Sequence, residues 1–208
     1  RFSRPPKKKA FDKILPEHFM PAFERGMSLH EAEIDAITSN KDEATFENTI
    51  LAYDNAGQML AQTELVFGML CAAETNDRMQ ALQEQAMPLL AAHRDKIRLD
   101  DKLFVRVKEV YDRRAALGLD AEQMRLLQKT YDSFVRAGAL LDAEQKARLK
   151  EINGQLSLTA VKFGNNILAE NNNFVLELKS DELDGLPAGI RDAAREKAQQ
   201  MGKGDKWV

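Results

Sequence analysis

From residue 16 to residue 170, apolar residues recur every three or four positions, and this one feature restricts the chain to an architecture of packed helices. Phe19, Phe23, Met27, His30, Ile34 and Ile37 fall on one helix face, and Pro16 stands where a first-turn proline is tolerated. A second stripe starts after Thr45, a good N-cap, and runs Phe46, Ile50, Tyr53, Leu60, Phe67, Leu70. A third runs Met79, Leu82, Ala86, Leu90, His93, Ile97, with Asn76 as its cap. Pro88 lies inside that stripe and is expected to kink or interrupt it, because it removes a backbone donor.

Three more helices come next along the chain. One starts near Asp100, carries Leu103, Val107 and Val110, and is ended by Gly118. The next places Met124, Leu127, Tyr131, Phe134 and Gly138 in helical register. The sixth spans Asp142 to Ala169 with Leu149, Ile152, Leu156, Phe163 and Ile167, a length of roughly 40 Å. Leu-Asp-Ala-Glu-Gln occurs twice, at Leu119–Gln123 and Leu141–Gln145. The flanks of the two copies do not match, which argues against a repeat protein and for capping. Asp120 and Asp142 are N-caps, and Gln123 and Gln145 stand three residues on, where each reaches back to the cap amide.

The pattern changes at Asn171-Asn172-Asn173, which is expected to end the sixth helix through the left-handed conformation that Asn tolerates. Phe174 to Lys179 then alternates with period two and is the one convincing strand. After a turn at Gly185–Gly189, Ile190 to Met201 reads as a short helix, and Trp207-Val208 as the start of a second strand. The expected organisation is a basic lead-in over 1–10, a helical domain over 11–170, and a strand–helix–strand start over 171–208. A strand without a partner leaves an open edge.

Composition sets the remaining bounds. With 44% hydrophobic and 30% charged residues the chain is globular, and its net charge of -3 lacks the basic surplus of a dedicated nucleic-acid binder. Arg1, Arg4, Lys7, Lys8 and Lys9 form a basic arm, read as a solvated lead-in in preference to a nucleic-acid or membrane arm. The longest uncharged apolar run, Leu65 to Ala73, is about half of the ~20 residues a spanning helix needs. A single cysteine, Cys71, forms no internal disulfide and reads as a small buried hydrophobe.

Chemistry is sparse. The histidines are His18, His30 and His93. His30-Glu31-Ala32-Glu33-Ile34 begins like the zinc-peptidase pattern H-E-x-x-H, but Ile34 stands where the second imidazole belongs, so no ligand pair forms. His30 is therefore a helix-face residue, His93 a hydrogen-bonded histidine packed between helices, and His18 a structural residue near a helix start. The chain has no G-x-S-x-G, and Gly202-Lys203-Gly204 lacks P-loop spacing. The residues thus offer a scaffold with no catalytic, cofactor-binding or metal site.

Several segments together resemble one family. They are Phe11–Phe23, Ala44-Thr-Phe-Glu-Asn-Thr-Ile50, Thr75-Asn-Asp77, Asp132-Ser-Phe-Val-Arg-Ala-Gly-Ala139, Ile152-Asn-Gly-Gln-Leu-Ser157 and Phe163-Gly-Asn-Asn-Ile-Leu168. In this order and spacing they are similar to the N-terminal region of the thimet oligopeptidase family of zinc metallopeptidases, nearest its dipeptidyl carboxypeptidase branch, with oligopeptidase A next. The resemblance covers residues 10–208. It implies a large, almost wholly helical, two-lobed enzyme with a deep channel, whose zinc sits on an H-E-x-x-H helix with the motif glutamate as general base. None of those positions lies in this chain, so no catalytic residue is carried over.

The resemblance therefore implies the wall of a substrate channel, part of a peptidase that removes C-terminal dipeptides, with zinc in the parent and none here. The implied partners are short peptides and the rest of the same polypeptide, without nucleic acid or membrane, in a monomer. The implied compartment is the cytoplasm, or the periplasm if a leader is removed. The alternative class is a free-standing helical interaction module, and a nucleic-acid-binding helical domain stands behind it on the basic arm alone.

Overall fold

The computed structural model describes residues 13–208, so the basic arm lies outside the described residues. The helices are α1 (Phe19–Ser39), α2 (Ala52–Asn55), α3 (Gln58–Ala73), α4 (Asp77–Arg98), α5 (Asp101–Asp112), α6 (Ala121–Arg136), α7 (Ala143–Asn173) and α8 (Ala188–Gln200). A 3-10 turn at Pro16–His18 leads into α1, and a π-helical turn over Phe46–Leu51 precedes α2. The mainly-α class expected from the periodicity is the observed one.

Two compact units divide the chain, residues 1–162 and 163–208, with the boundary inside α7. The first unit contains two apolar cores. One is built on Phe19 and Phe23 of α1, Leu60 and Phe67 of α3, and Met79 and Leu90 of α4. The Phe19 and Phe23 rings lie 4.9 and 5.3 Å from the Phe67 ring, the second contact edge-on, a favourable aromatic geometry. The other core gathers Ile34 and Ile37 of α1, Ile50, Ile97, Val107 of α5 and Phe134 of α6. Thus α1 and α4 each serve both cores, the second one through their C-terminal ends.

Caps fix where the helices begin. Asn76, Asp100 and Asp120 each accept a bond from the backbone N–H three residues on, at 3.0, 2.8 and 2.9 Å. Asp142 accepts from the Gln145 N–H at 2.8 Å, and the Gln145 side chain accepts from the Asp142 N–H at 3.2 Å. Asp120 and Gln123 are bonded in the same reciprocal way, so the twice-occurring pentapeptide is a capping device.

Four local expectations are corrected. The stripe Phe46–Leu70 is two helical segments, because Gly57 takes a left-handed φ of 72° and breaks the helix between Asn55 and Gln58. The seven-residue step from Tyr53 to Leu60 preserves the stripe across that break. Helix α4 runs through Pro88 without interruption. Buried Ala86 and Leu90 on either side hold the helix there against the loss of one N–H donor. The three asparagines belong to α7, and no non-glycine residue among those described takes a positive φ. With 31 residues, α7 is about 46 Å long. Finally, the strand expected over 174–179 contracts to one antiparallel bridge, Leu178 with Trp207. The Phe174 N–H remains bonded to the Glu170 carbonyl, which keeps that end of the segment attached to the helix.

In the second unit α8 buries Ala198, and Leu183 is buried beneath the turn that precedes it. The Trp207 ring lies 5.2 Å from the Arg195 guanidinium, and the Val208 N–H donates to the Ala194 carbonyl at 3.0 Å.

Candidate functional site

A group of titratable side chains meets across α1 and α4 in the first unit. His30 comes after Met27 and before Ile34 on α1; His93 lies between Leu90 and Ile97 on α4. The helical repeat that brings apolar residues of α1 and α4 together therefore brings the two imidazoles together as well. His93 Nε2 lies 3.1 Å from His30 Nδ1, and the ring centroids are 5.1 Å apart. His93 is 5% exposed, so its bond to His30 satisfies a nitrogen that water does not reach.

A second ring of charge surrounds the pair. Glu31 Oε1 stands 3.5 Å from His93 Nδ1, too far for a good hydrogen bond, and Glu31 Oε2 meets Lys96 Nζ at 2.8 Å. The carboxylate favours the His93 tautomer protonated on Nδ1. In that tautomer Nε2 accepts, and His30 Nδ1–H donates to it. Glu33 Oε2 accepts from the Gly57 N–H at 2.7 Å, which fixes the break between α2 and α3 against the same face of α1. A Cβ on Gly57 would come within 2.8 Å of the His30 ring, so glycine is needed there for both space and φ.

Burial lowers the pKa of both imidazoles. For His30 the neighbouring His93 lowers it further, whereas for His93 the Glu31 carboxylate partly opposes burial. Lys96 holds the Glu31 carboxyl below its usual range. The pair is thus neutral near pH 7 and shares its hydrogen bond internally. The cleft between α1 and α2, about 370 Å³, is lined by Glu33, Asn48 and Asn55 and by neither imidazole. The arrangement suits a polar tie between two helices.

Zinc does not fit these residues. No three His, Cys, Asp or Glu side chains converge among the described residues. Ile34, one turn after His30, is buried in apolar packing. His18 is placed elsewhere, with its Nδ1 accepting from the Leu15 N–H at 3.2 Å across the turn before α1. Burial raises the Cys71 thiol pKa, so it is a poor nucleophile.

The two sequence segments most specific to the resemblance have structural work. In Thr45-Phe-Glu-Asn-Thr49 the Thr45 hydroxyl accepts from the Asn48 N–H at 3.1 Å, while Asn48 Oδ1 accepts from the Thr45 N–H at 2.8 Å. Arg106, 9% exposed on α5, locks this turn: it donates to the Asn40 and Asp42 carbonyls and to Asn48 Oδ1 at 3.0, 3.1 and 3.1 Å. In Phe134-Val-Arg-Ala-Gly138, Gly138 has a φ of 97°. The Ala139 and Gly138 N–H groups return to the Phe134 and Val135 carbonyls, a Schellman stop for α6. Asn153 donates to Asp95 at 2.8 Å, tying α7 to α4.

Sequence periodicity placed His30 and His93 on helix faces but did not pair them, and it missed Glu31, Lys96 and Arg106. The signal was present in one respect: each histidine replaces an apolar residue midway along its stripe.

These helices, caps and buried ties define a scaffold, and its relatives are peptidases. The chain is 38% identical to the dipeptidyl carboxypeptidase of Escherichia coli (strain K12) over 199 residues, 95% of this chain and 29% of that protein. The Salmonella typhimurium dipeptidyl carboxypeptidase is 36% identical over 95% of the chain, and oligopeptidase A of Escherichia coli 23% over 95%. The chain is thus homologous to the oligopeptidase group that its segments resemble, with identity falling from the dipeptidyl carboxypeptidases to oligopeptidase A and a thimet-like oligopeptidase. It spans 29% of the length of the dipeptidyl carboxypeptidases it matches. No family model matches it.

Proposed function

We propose that this chain is the N-terminal lobe of a longer zinc metallopeptidase that hydrolyses short peptides and releases dipeptides from their C-termini. The observation that carries this is the similarity to dipeptidyl carboxypeptidases along 95% of the chain, combined with a span of 29% of their length. In this reading residues 11–170 form a helical wall of the substrate channel and 171–208 lead toward the catalytic part, in a cytoplasmic, monomeric enzyme. The zinc, its H-E-x-x-H helix and the general base belong to that other part. The wall acts by shape: helices held by buried cores and caps restrict access to short peptides without touching the bond that breaks. A wall must keep its form, and the Arg106 lock, the imidazole pair and the aromatic packing of the first unit support that role.

The test compares the 208-residue chain with the full-length parent on a blocked short peptide followed by mass spectrometry. The full-length protein releases C-terminal dipeptides and a chelator stops it, while the 208 residues alone release none with or without zinc. Dipeptide release by the short chain, or chelator-insensitive cleavage by the parent, overturns the proposal.

A further inference from the structure

Of the four ring nitrogens in the imidazole pair, three are turned to protein partners. His93 Nδ1 is buried beside the Glu31 carboxylate, and His93 Nε2 accepts from His30 Nδ1–H at 3.1 Å. His30 Nε2 is left over: it has no hydrogen-bond partner among the described residues, and its ring is half-buried. A first proton placed there leaves the bond between the rings intact and makes it charge-assisted. A second proton has only His93 Nε2 to occupy. That turns the acceptor into a donor, sets two N–H groups against each other, and puts a cation on a side chain that is 5% exposed.

The surrounding charges set the same limit. Glu31 and Glu33 come from α1, Glu64 from α3, and Lys96 from α4, where Arg94 also holds Glu64 at 3.2 Å. Ala56 and Gly57, at the break between α2 and α3, carry no charge. Three carboxylates against two cations leave one negative charge, which the first proton neutralises and a second reverses. His30 has no room to slide away. A Cβ at Gly57 would stand 2.8 Å from its Nδ1 and Cε1, so the ring already lies against the buried Gly57 backbone. The Gly57 N–H is in turn held by Glu33 Oε2 at 2.7 Å. Rings driven apart therefore move the point where α2 gives way to α3.

We propose that the imidazole pair is a two-stage, proton-sensitive catch: the first proton is held with α1 and α4 still joined, and the second parts the rings and frees the Gly57 break from α1. Burial lowers the pKa of both imidazoles, and His93 lowers that of His30 further, so both stages fall below pH 6.5. The device belongs to the first unit alone and does not depend on any catalytic activity.

Nuclear magnetic resonance of the 208-residue chain across pH reads both stages. The ring nitrogens of His30 and His93 titrate in two separate steps. The Gly57 amide stays protected through the first step and exchanges at least about tenfold faster across the second, while the Leu127 and Phe134 amides of α6 stay protected. His30→Gln sharpens the reading, because a glutamine side chain donates to neutral His93 and, turned over, accepts from the protonated ring. In that variant His93 titrates in one step and Gly57 stays protected throughout. His93→Gln does the same for His30 and serves where the first variant does not fold. Two imidazoles titrating together in one step overturn the proposal, as does Gly57 exchange that rises with the first proton or not at all. Loss of Gly57 and α6 protection at the same pH also overturns it, since the unit then unfolds as a whole. So does Gly57 opening that persists in both glutamine variants, which assigns it to the Glu33 carboxylate.

Discussion

The first unit, over its described residues up to Lys162, and the second, Phe163–Val208, are both helical, yet they hold their shape by different means. In the first, Phe23, Phe67 and Phe134 are each at most 1% exposed, and two apolar clusters join five of its helices. In the second, the buried apolar residues are Leu183 and Ala198, while Phe163, Phe174, Leu176 and Ile190 are all more than half exposed. A segment that short cannot enclose its own apolar surface, because surface falls more slowly than volume as a unit shrinks. It relies instead on one backbone bridge, a cation–π contact and the ion pairs of Glu177. The same residue type therefore has opposite meaning in the two places: phenylalanine is interior in one and an uncovered surface in the other.

The sharpest way to break this contrast is to truncate one phenylalanine in each unit. Phe134→Ala removes a ring packed 5.2 Å from Tyr53 and 6.1 Å from Phe104 and should cost about 3–5 kcal/mol in urea unfolding. Phe174→Ala in the same 208-residue chain should shift stability by no more than about 0.5 kcal/mol. Comparable losses at both positions would mean that the second unit buries more than its packing indicates.

A smaller effect probes the polar lock of the first unit. Arg106→Ala leaves the Asn40 and Asp42 carbonyls without their arginine donor and removes one of the donors to Asn48 Oδ1, at a cost of about 2–3 kcal/mol. Arg106→Lys should restore little, since an ammonium cannot reproduce the guanidinium fork that reaches all three oxygens. Full rescue by lysine, read from the same urea midpoint, would contradict the fork geometry.

The smallest expected effects are the pH responses, and they separate the units by window. His30 and His93 have folded pKa values below the ordinary 6.5, so the unfolded chain takes up protons first as pH falls. Their contribution to the first unit is complete above pH 6.5 and is lost as pH falls from there toward the folded values. Glu177, held at about 2 by Lys203 and Lys206 against an ordinary 4.5, stabilises the second unit above 4.5 and loses that between 4.5 and 2. Its side chain is 31% exposed, and solvent screening makes the contribution slight. Urea midpoints measured across pH should therefore fall first below 6.5. The double substitution His30→Gln, His93→Gln should flatten that slope, and Glu177→Gln should leave it unchanged. A slope that survives the double substitution would place the titrating groups elsewhere.

Much of this was legible in the chain itself. Periodicity gave the helices and their inward faces, and capping residues such as Thr45, Asn76, Asp120 and Asp142 gave their starts, because both signals act within a few residues of one another. The paired histidines were half legible: their places on the stripes of α1 and α4 were clear, but their meeting was not, since 63 residues separate them. Gly57 was read through, because its spacing kept the stripe intact while its conformation broke the helix. Arg106 gave no sequence signal at all, for a buried arginine is distinguished only by carbonyls that a distant turn brings to it. By itself the sequence determined the helical class, the caps and the resemblance to a peptidase, all of which depend on residue types in short-range order. Only the tertiary structure decided which apolar stripes become core and which stay bare, which imidazoles bond each other, and that the lone strand is a single bridge. Those outcomes depend on which surfaces the rest of the fold brings into contact, and that is set by the whole chain at once.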